Sequence, residues 1–417
     1  MTTLNETPNS NRLHIGIFGK TNSGKSSFIN AFTKQQVSIV ANEAGTTTDP
    51  VYKPMEINPL GACVIIDTAG FADQSTLGKK RLEKTKLAAE KSDIAVVLIS
   101  ADEASKEAEN INKDMSFADC FAEEIEWFKF FKTKRTPMMF VVSKADTCSE
   151  VQLQKLIELL KDNTGVETIA VSALNGSGMD KVKMELARLI PEGYGEYSIT
   201  GSLAEAGDTV LLVMPQDIQA PKGRLILPQV QTIRELLDKK CMVMSVTTDQ
   251  FTSALSMLQK PPKLIITDSQ VFGYVYESKP KESKLTSFSV LFAAHKGDIA
   301  YYIEGAKAIE RLNEKSRVLI AECCTHAPLA EDIGREKIPR MLKKRFGDTM
   351  RVDIVSGTDF PDNLTGYDLV IQCGACMFNR KYVLSRIDQA KSQQVPMTNY
   401  GVAIAHLTSI LDQVAVP

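Results

Sequence analysis

Gly19-Lys20-Thr21-Asn22-Ser23-Gly24-Lys25-Ser26 stands directly after the apolar run HIGIF (14–18) and directly before a helical pattern. It fits G-x-x-x-x-G-K-S. Its glycines let backbone N–H groups approach phosphate oxygens, and the helix N-terminus behind it favours the anion. Lys25 is placed to reach the β- and γ-phosphates and Ser26 to ligate Mg²⁺, with Gly19, Ser23, Gly24 and Ser27 completing the cradle. A strand, this loop and a helix also decide the fold around them. From Leu13 onward, apolar runs ACVIID (62–67), IAVVLIS (94–100), MMFVVS (138–143) and TIAVSA (168–173) alternate with helical patterns. That alternation predicts α/β structure with a mostly parallel sheet flanked by helices.

Four further elements follow in order and narrow the nucleotide to GTP. Asp67-Thr68-Ala69-Gly70 ends the run CVIID, which places Asp67 near Mg²⁺ and the Gly70 amide near the γ-phosphate. Gly45-Thr46-Thr47-Thr48-Asp49 falls between the first helix and the second strand, where a switch loop covers Mg²⁺; Thr47 is the expected hydroxyl ligand. Ser143-Lys144-Ala145-Asp146 follows MMFVV. The Asp146 carboxylate can accept two hydrogen bonds from the guanine edge, which adenine does not offer, while Lys144 lies along the ring. Ser172-Ala173-Leu174 supplies a backbone contact to the base. Lys25, Thr47 and Gly70 are the expected catalytic groups.

This set resembles the translation-factor class of GTPases, especially the tRNA-modification GTPase group with its G-x-x-N-x-G-K-S loop. The resemblance implies that Asn22 binds K⁺, whose charge does the work of an arginine finger; a loop-capping role is the plain structural alternative. Phe71 stands where many GTPases place a water-orienting glutamine, so hydrolysis is expected to be slow, with Asp73 a weaker candidate for that task.

At 417 residues the chain is expected to form two or three domains. Its 43% apolar and 24% charged composition is globular, and a net charge of −2 lacks the basic excess of a nucleic-acid binder. No apolar run approaches the roughly 18 residues of a bilayer span. The first residues, MTTLNETPNSNR, lack the apolar core of a signal peptide, so a cytoplasmic protein with reduced cysteines is expected. Residues 1–12 read as a disordered tail and 13–192 as the GTPase domain. Within it, 107–135 reads as one long helix whose Trp127, Phe128, Phe130 and Phe131 pack in the core rather than on a partner. Gly193-Tyr194-Gly195 marks a linker. Residues 198–277, with TVLLVM, CMVMSV and KLIIT, read as a small α/β unit whose parallel sheet needs cover, hence a dimerisation domain. After KPKESK (279–284), the runs FSVLFA, RVLIAE, RVDIVS and DLVIQC alternate with helices over 278–417.

Two of those runs end in cysteines. RVLIAE leads into Cys323-Cys324-Thr325-His326, and DLVIQ into Cys373-Gly374-Ala375-Cys376. Parallel sheets bind ligands beyond the carboxyl ends of their strands, so both groups can share one crevice. Cys324, His326, Cys373 and Cys376 suit tetrahedral Zn²⁺. Cys324, Cys373 and Cys376 alone suit a 4Fe–4S cluster with an exchangeable fourth ligand. The residues by themselves leave both open, and Cys323 competes with its neighbour. A zinc-containing GTPase of ribosome or tRNA maturation is one reading.

A GTPase domain followed by Cys-Thr-His and then Cys-x-x-Cys resembles the FeFe-hydrogenase maturation GTPase family, HydF, over the whole chain. The resemblance implies a 4Fe–4S cluster on Cys324, Cys373 and Cys376, with the dimerisation domain in the middle and the cluster domain at 278–417. It also implies a transient two-iron subcluster precursor as cargo. The implied partners are two radical-SAM maturases and the hydrogenase apoprotein, with a homodimer formed through the middle domain and neither nucleic acid nor membrane involved. One departure stands out: the family places a histidine before Cys-x-x-Cys, and this chain has Gln372, a poor iron ligand. His326, water or an incoming fragment is left as the fourth ligand.

Overall fold

The computed structural model describes residues 7–35, 49–70, 76–111, 115–215, 225–323 and 332–417, without the side chains of 76–80 and 110. Two compact units divide after Gly195, at the glycine-flanked linker.

In the first unit the strands are β1 (Leu13–Gly19), β2 (Val51–Ile57), β3 (Gly61–Asp67), β4 (Ile94–Ser100), β5 (Met138–Ser143) and β6 (Thr168–Ala170). They lie in the order β2-β3-β1-β4-β5-β6, all parallel except β2, which runs antiparallel to β3. Every residue of β1 and β4 is buried, as strands covered on both faces must be. Ile15 and Ile17 point to one face, against Phe28 and Phe32 of helix Lys25–Thr33 and Val182 and Leu186 of helix Met179–Leu189. Phe18 points to the other face, toward Trp127, Phe131, Leu156 and Leu160.

The segment expected to be one long helix is broken. Helices Ala101–Ile111, Phe117–Cys120 and Ala122–Thr133 replace it. The cause is local: the Ser116 hydroxyl accepts from Asp119 N at 3.2 Å while the Asp119 carboxylate accepts from Ser116 N, a capping box that starts a new helix. Its aromatic residues pack inward as expected, with Trp127 stacked on Phe18 at 5.2 Å between ring centroids. Phe131 is fully buried, and Phe128 and Phe130 pack on the same cluster.

The second unit holds two four-stranded parallel sheets. Strands β7 (Thr209–Val213), β8 (Met242–Val246), β9 (Leu264–Thr267) and β10 (Lys284–Ser287) form the first, in the order β10-β9-β7-β8. Strands β11 (Arg317–Ala321), β12 (Arg351–Val355), β13 (Leu369–Gln372) and β14 (Met397–Asn399) form the second, in the order β12-β11-β13-β14. The expected division at 277/278 falls just before β10, which pairs with β9 in the first sheet, and KPKESK leads from helix Phe272–Ser278 into that strand. One apolar core joins Leu211, Val213 and Ile265 of the first sheet to Val318, Ile320 and Ile371 of the second. FSVLFA is not a strand but the body of helix Phe288–Lys296, started by the Ser287 hydroxyl, which accepts from Val290 N at 3.2 Å. A short apolar run buried all round has no period that separates helix from strand. No helix among the described residues is long and apolar enough to cross a membrane.

Candidate functional sites

In the first unit the chain leaves β1 for β3 on one side and β4 on the other, so β1 lies at a switch point, and its carboxyl end carries the glycine-rich loop. Gly19 holds φ 148°, Asn22 φ 64° and Gly24 φ 83°. A Cβ on Gly19 would stand 2.5 Å from the Leu98 carbonyl oxygen, so the close approach of loop to β4 requires glycine. Lys25 opens helix Lys25–Thr33, with Ser26 and Ser27 in its first turn. Its ammonium donates to the carbonyls of Gly19 at 2.9 Å and Lys20 at 2.8 Å, bridging the loop from within. Burial draws its pKa down to about 8, partly offset by the Asp67 carboxylate.

Asp67 is buried at the end of β3, next to Thr68, whose hydroxyl donates to the Ile17 carbonyl at 2.6 Å. Gly70 packs on the loop so closely that a Cβ would lie 2.6 Å from Thr21 Cα. At the far side of the loop the Ser143 hydroxyl donates to the Ser23 carbonyl at 2.6 Å, tying β5 to the glycine-rich loop. Lys144 holds φ 55° beside it. Asp146 is exposed and accepts a short hydrogen bond from the Ser172 hydroxyl, while Ala145 N donates to the Val171 carbonyl at 3.0 Å. The two segments expected to meet the base, Ser143–Asp146 and Ser172–Ala173, are therefore joined to each other. Thr47, Phe71 and Asp73 lie outside the described residues.

Sequence reasoning missed the anchor of this loop. Lys20 pairs with Glu124 at 3.2 Å and Glu107 at 3.3 Å, on the helices Ala122–Thr133 and Ala101–Ile111. Burial pushes the Glu124 carboxyl upward, and Lys20 holds it back. A lysine inside the loop motif and acids a hundred residues on carry no local sign of that pairing.

The second cysteine-bearing sheet has the same logic. The chain passes from β11 to β12 on one side and then to β13 on the other, so the switch point lies between β11 and β13. Register pairs Ala321 with Gln372, so Glu322 and Cys373 continue side by side past the strand ends and Cys323 follows one residue on. Cys373 N donates to the Ala321 carbonyl at 3.0 Å, and Cys323 N reaches Cys373 Sγ at 3.1 Å. A hydrogen bond from the Cys323 thiol holds the Cys373 pKa below that of an ordinary thiol despite burial. Burial, and then that same bond, push the Cys323 thiol far up. Cys373 and Cys376 are half-buried on a turn in which Ala375 holds φ 51°, and nothing lies within 4 Å of a Cβ built on Gly374. Asn399 Nδ2 donates to the Cys373 carbonyl at 3.3 Å.

Cys324 and His326 lie outside the described residues, and among the described residues no group of three His, Cys, Asp or Glu side chains forms a metal site. Cys373 and Cys376 are the half-buried thiols at this switch point, with Cys323 buried beside them; thiolates are the ligands that iron–sulfur and many zinc sites use. Gln372 is 1% exposed, with its amide nitrogen 3.5 Å from the Tyr302 hydroxyl. A residue that sequence reasoning overlooked also touches this turn. The buried Lys296 ammonium donates to the Ala375, Cys376 and Phe378 carbonyls. Its only sequence signal is a charge closing an otherwise apolar run.

Comparison with known proteins matches three family models to this chain. The hydrogen maturase F dimerization domain matches residues 199–297, the hydrogen maturase F tetramerization domain 300–417, and the 50S ribosome-binding GTPase domain 14–144. The tRNA modification GTPase MnmE of Alkaliphilus metalliredigens is 27% identical over 184 residues, covering 43% of this chain and 35% of its own. GTPase Era of Aquifex aeolicus is 27% identical over 186 residues, covering 43% of this chain and 57% of its own. The chain thus spans about a third to just over half the length of these relatives. A crystal structure of a point variant of Aquifex aeolicus Era bound to GDP·AlF4⁻ aligns at TM-score 0.36 and 20% identity, over 56% of this chain and 92% of that one.

Proposed function

The chain belongs to the hydrogen maturase F family and carries a GTPase domain, and on that premise we propose that it is a GTP-hydrolysing scaffold in FeFe-hydrogenase maturation. In this reading Cys324, Cys373 and Cys376 hold a 4Fe–4S cluster, and a two-iron subcluster precursor is the cargo delivered to the hydrogenase apoprotein. The two radical-SAM maturases supply that precursor. The observation that carries the reading is the meeting of Cys323 and Cys373 at the switch point between β11 and β13, with Cys376 on the same turn. Cys324, the next residue in the chain, lies outside the described residues, and its part in the reading rests on the Cys-Thr-His motif. When bound by three thiolates, such a cluster supplies one iron with an exchangeable ligand. The protein's part is to present the thiolates at one crevice and to keep Gln372 out of the donor set.

The GTPase residues divide the work of hydrolysis. Lys25 meets the β- and γ-phosphates, Ser26, Asp67 and Thr47 hold Mg²⁺, and the Gly70 amide faces the γ-phosphate. Asp146 reads guanine, with Lys144, Ser172 and Ala173 around the base. Asn22 binds K⁺, so hydrolysis is expected to run faster in K⁺ than in Na⁺ at equal ionic strength. Equal rates in the two salts would remove the ion from the mechanism. The matched domains are named for dimerization and tetramerization, which supports self-association of the 198–417 region, with the homodimer formed through the middle domain.

Anaerobic purification tests the whole reading. The expected product is brown, with broad absorbance near about 400 nm and about four irons and acid-labile sulfide per chain. A colourless protein with one zinc would favour a zinc-containing GTPase of ribosome or tRNA maturation instead. A protein with neither metal would make the cysteines structural.

A further inference from the structure

Helix Phe288–Lys296 is apolar along nearly its whole length and ends in a lysine that is 2% exposed. Neighbouring chain fixes that end of the helix: Arg380 Nη1 donates to the His295 carbonyl at 2.7 Å, while its guanidinium stacks 4.4 Å from the Tyr197 ring centroid. The Lys296 ammonium is therefore delivered to one place.

A buried ammonium is costly unless its charge and its donors are matched. Its donors are matched. Lys296 Nζ donates to the carbonyls of Ala375 at 3.2 Å, Cys376 at 3.1 Å and Phe378 at 2.7 Å, so all three of its N–H groups are directed at one turn. Its full charge is not matched by those carbonyls, and among the described residues no carboxylate pairs with it. The ionisable side chains that act on it are the thiols of Cys376, Cys323 and Cys373. A second buried cation, Arg386, is also 2% exposed and lies 4.6, 4.8 and 4.9 Å from the ring centroids of Phe360, Phe378 and Tyr382. It donates to the Gly357 carbonyl at 2.6 Å and favours the Cys323 thiolate. A cation buried at a thiol-bearing turn, with no carboxylate partner among the described residues, fits a site whose negative charge arrives on sulfur and on what sulfur binds.

We propose that Lys296 is a positioning residue of the thiol site: its ammonium holds the Cys373–Cys376 turn through three carbonyls and offsets the negative charge of the thiolate-bound cluster. The inference rests on the cluster reading above and adds a residue to it. Adding an electron to the cluster increases its negative charge, so the nearby ammonium favours the reduced form. Lys296 therefore sets the reduction potential as well as the turn.

The experiment is a redox titration of the anaerobically purified full chain, followed by electron paramagnetic resonance, with iron counted in each variant. Lys296→Gln retains a donor without the charge, and Lys296→Arg retains the charge. The glutamine variant is expected to keep its iron and to need at least a tenfold higher reductant-to-oxidant ratio for half-reduction, equal to 59 mV for one electron. The arginine variant is expected to return the midpoint toward that of the wild type. If the glutamine variant titrates with the wild-type midpoint, the charge has no such role and the proposal falls. If the glutamine variant loses iron, retention of iron by the arginine variant supports the proposal, and loss from both overturns it. A wild-type protein without an iron–sulfur signal sinks the cluster reading itself, an outcome visible before any variant is made.

Discussion

Lys25→Ala is expected to lower GTP turnover by at least about a hundredfold while the iron content of the purified protein stays that of the wild type. The Lys25 ammonium lies inside the glycine-rich loop, 2.9 Å from the Gly19 carbonyl and 2.8 Å from that of Lys20. Burial disfavours its charge and Asp67 favours it. In phosphoryl transfer the protein contributes chiefly position and charge, and one such donor to a developing anion is worth about 2.7–4 kcal/mol, or about 10²–10³ in rate. Alanine removes the donor and with it the two bonds to the Gly19 and Lys20 carbonyls, while the loop's own glycines and the Ser143–Ser23 bond remain. Iron is expected to stay because Lys25 and the cysteines belong to different compact units with separate cores. Phosphate release under saturating GTP, with K⁺ and Mg²⁺ present, provides the measurement. A rate within tenfold of wild type would take Lys25 out of the catalytic set.

Cys373→Ser is expected to reduce bound iron from about four atoms per chain to less than one after desalting. A serine hydroxyl is a hard, weakly acidic donor, whereas iron–sulfur clusters are held by thiolates. The site magnifies the loss. Cys373 is the central contact of the group, receiving Cys323 N at 3.1 Å, and a hydrogen bond from the Cys323 thiol favours its thiolate. Its own carbonyl accepts from Asn399 Nδ2, so the turn is held and does not readily shift to bring another ligand in. Serine is close to isosteric, and the strand pairing through Cys373 N is a backbone bond that survives the change. Melting within a few degrees of the wild-type apoprotein is therefore expected, which separates lost ligation from lost folding. Full iron retention would show that another residue carries the cluster.

The legible parts of both sites share a physical property: each is written in consecutive residues. The glycine-rich loop needs glycine at Gly19 and Gly24, small polar residues between them and Lys25 after them, so its function is visible in eight letters. Asp67, Asp146 and the two cysteine groups are visible because each closely follows a short apolar run that alternates along the chain with helical patterns. The break in 107–135 was equally legible, since Ser116 and Asp119 have the capping-box spacing, yet the aromatic residues on either side obscured it. FSVLFA was not legible. A nine-residue helix buried on all sides shows no polar face, and only the Ser287 cap and the packing around it select helix. The strand after KPKESK was missed for a related reason, because a lysine-rich turn within a sheet has the same composition as a linker between domains.

Sequence alone marked the GTPase loop, the aspartate proposed to read guanine, and the cysteines that follow two apolar runs in a chain of hydrogen maturase F type. These depend on side-chain identity and short spacing, which local backbone geometry enforces. Only the tertiary structure decided what meets what. It placed the glycine-rich loop and the cysteines each at a strand-order switch point, tied Ser143 to Ser23, and set Lys20 between Glu107 and Glu124. It also brought Lys296 beneath the Cys373–Cys376 turn from about eighty residues away, and Cys323 N against Cys373 Sγ past the paired strand ends. Register and burial are collective properties of a packed sheet, and a buried charge acquires its partner only when the whole core closes around it.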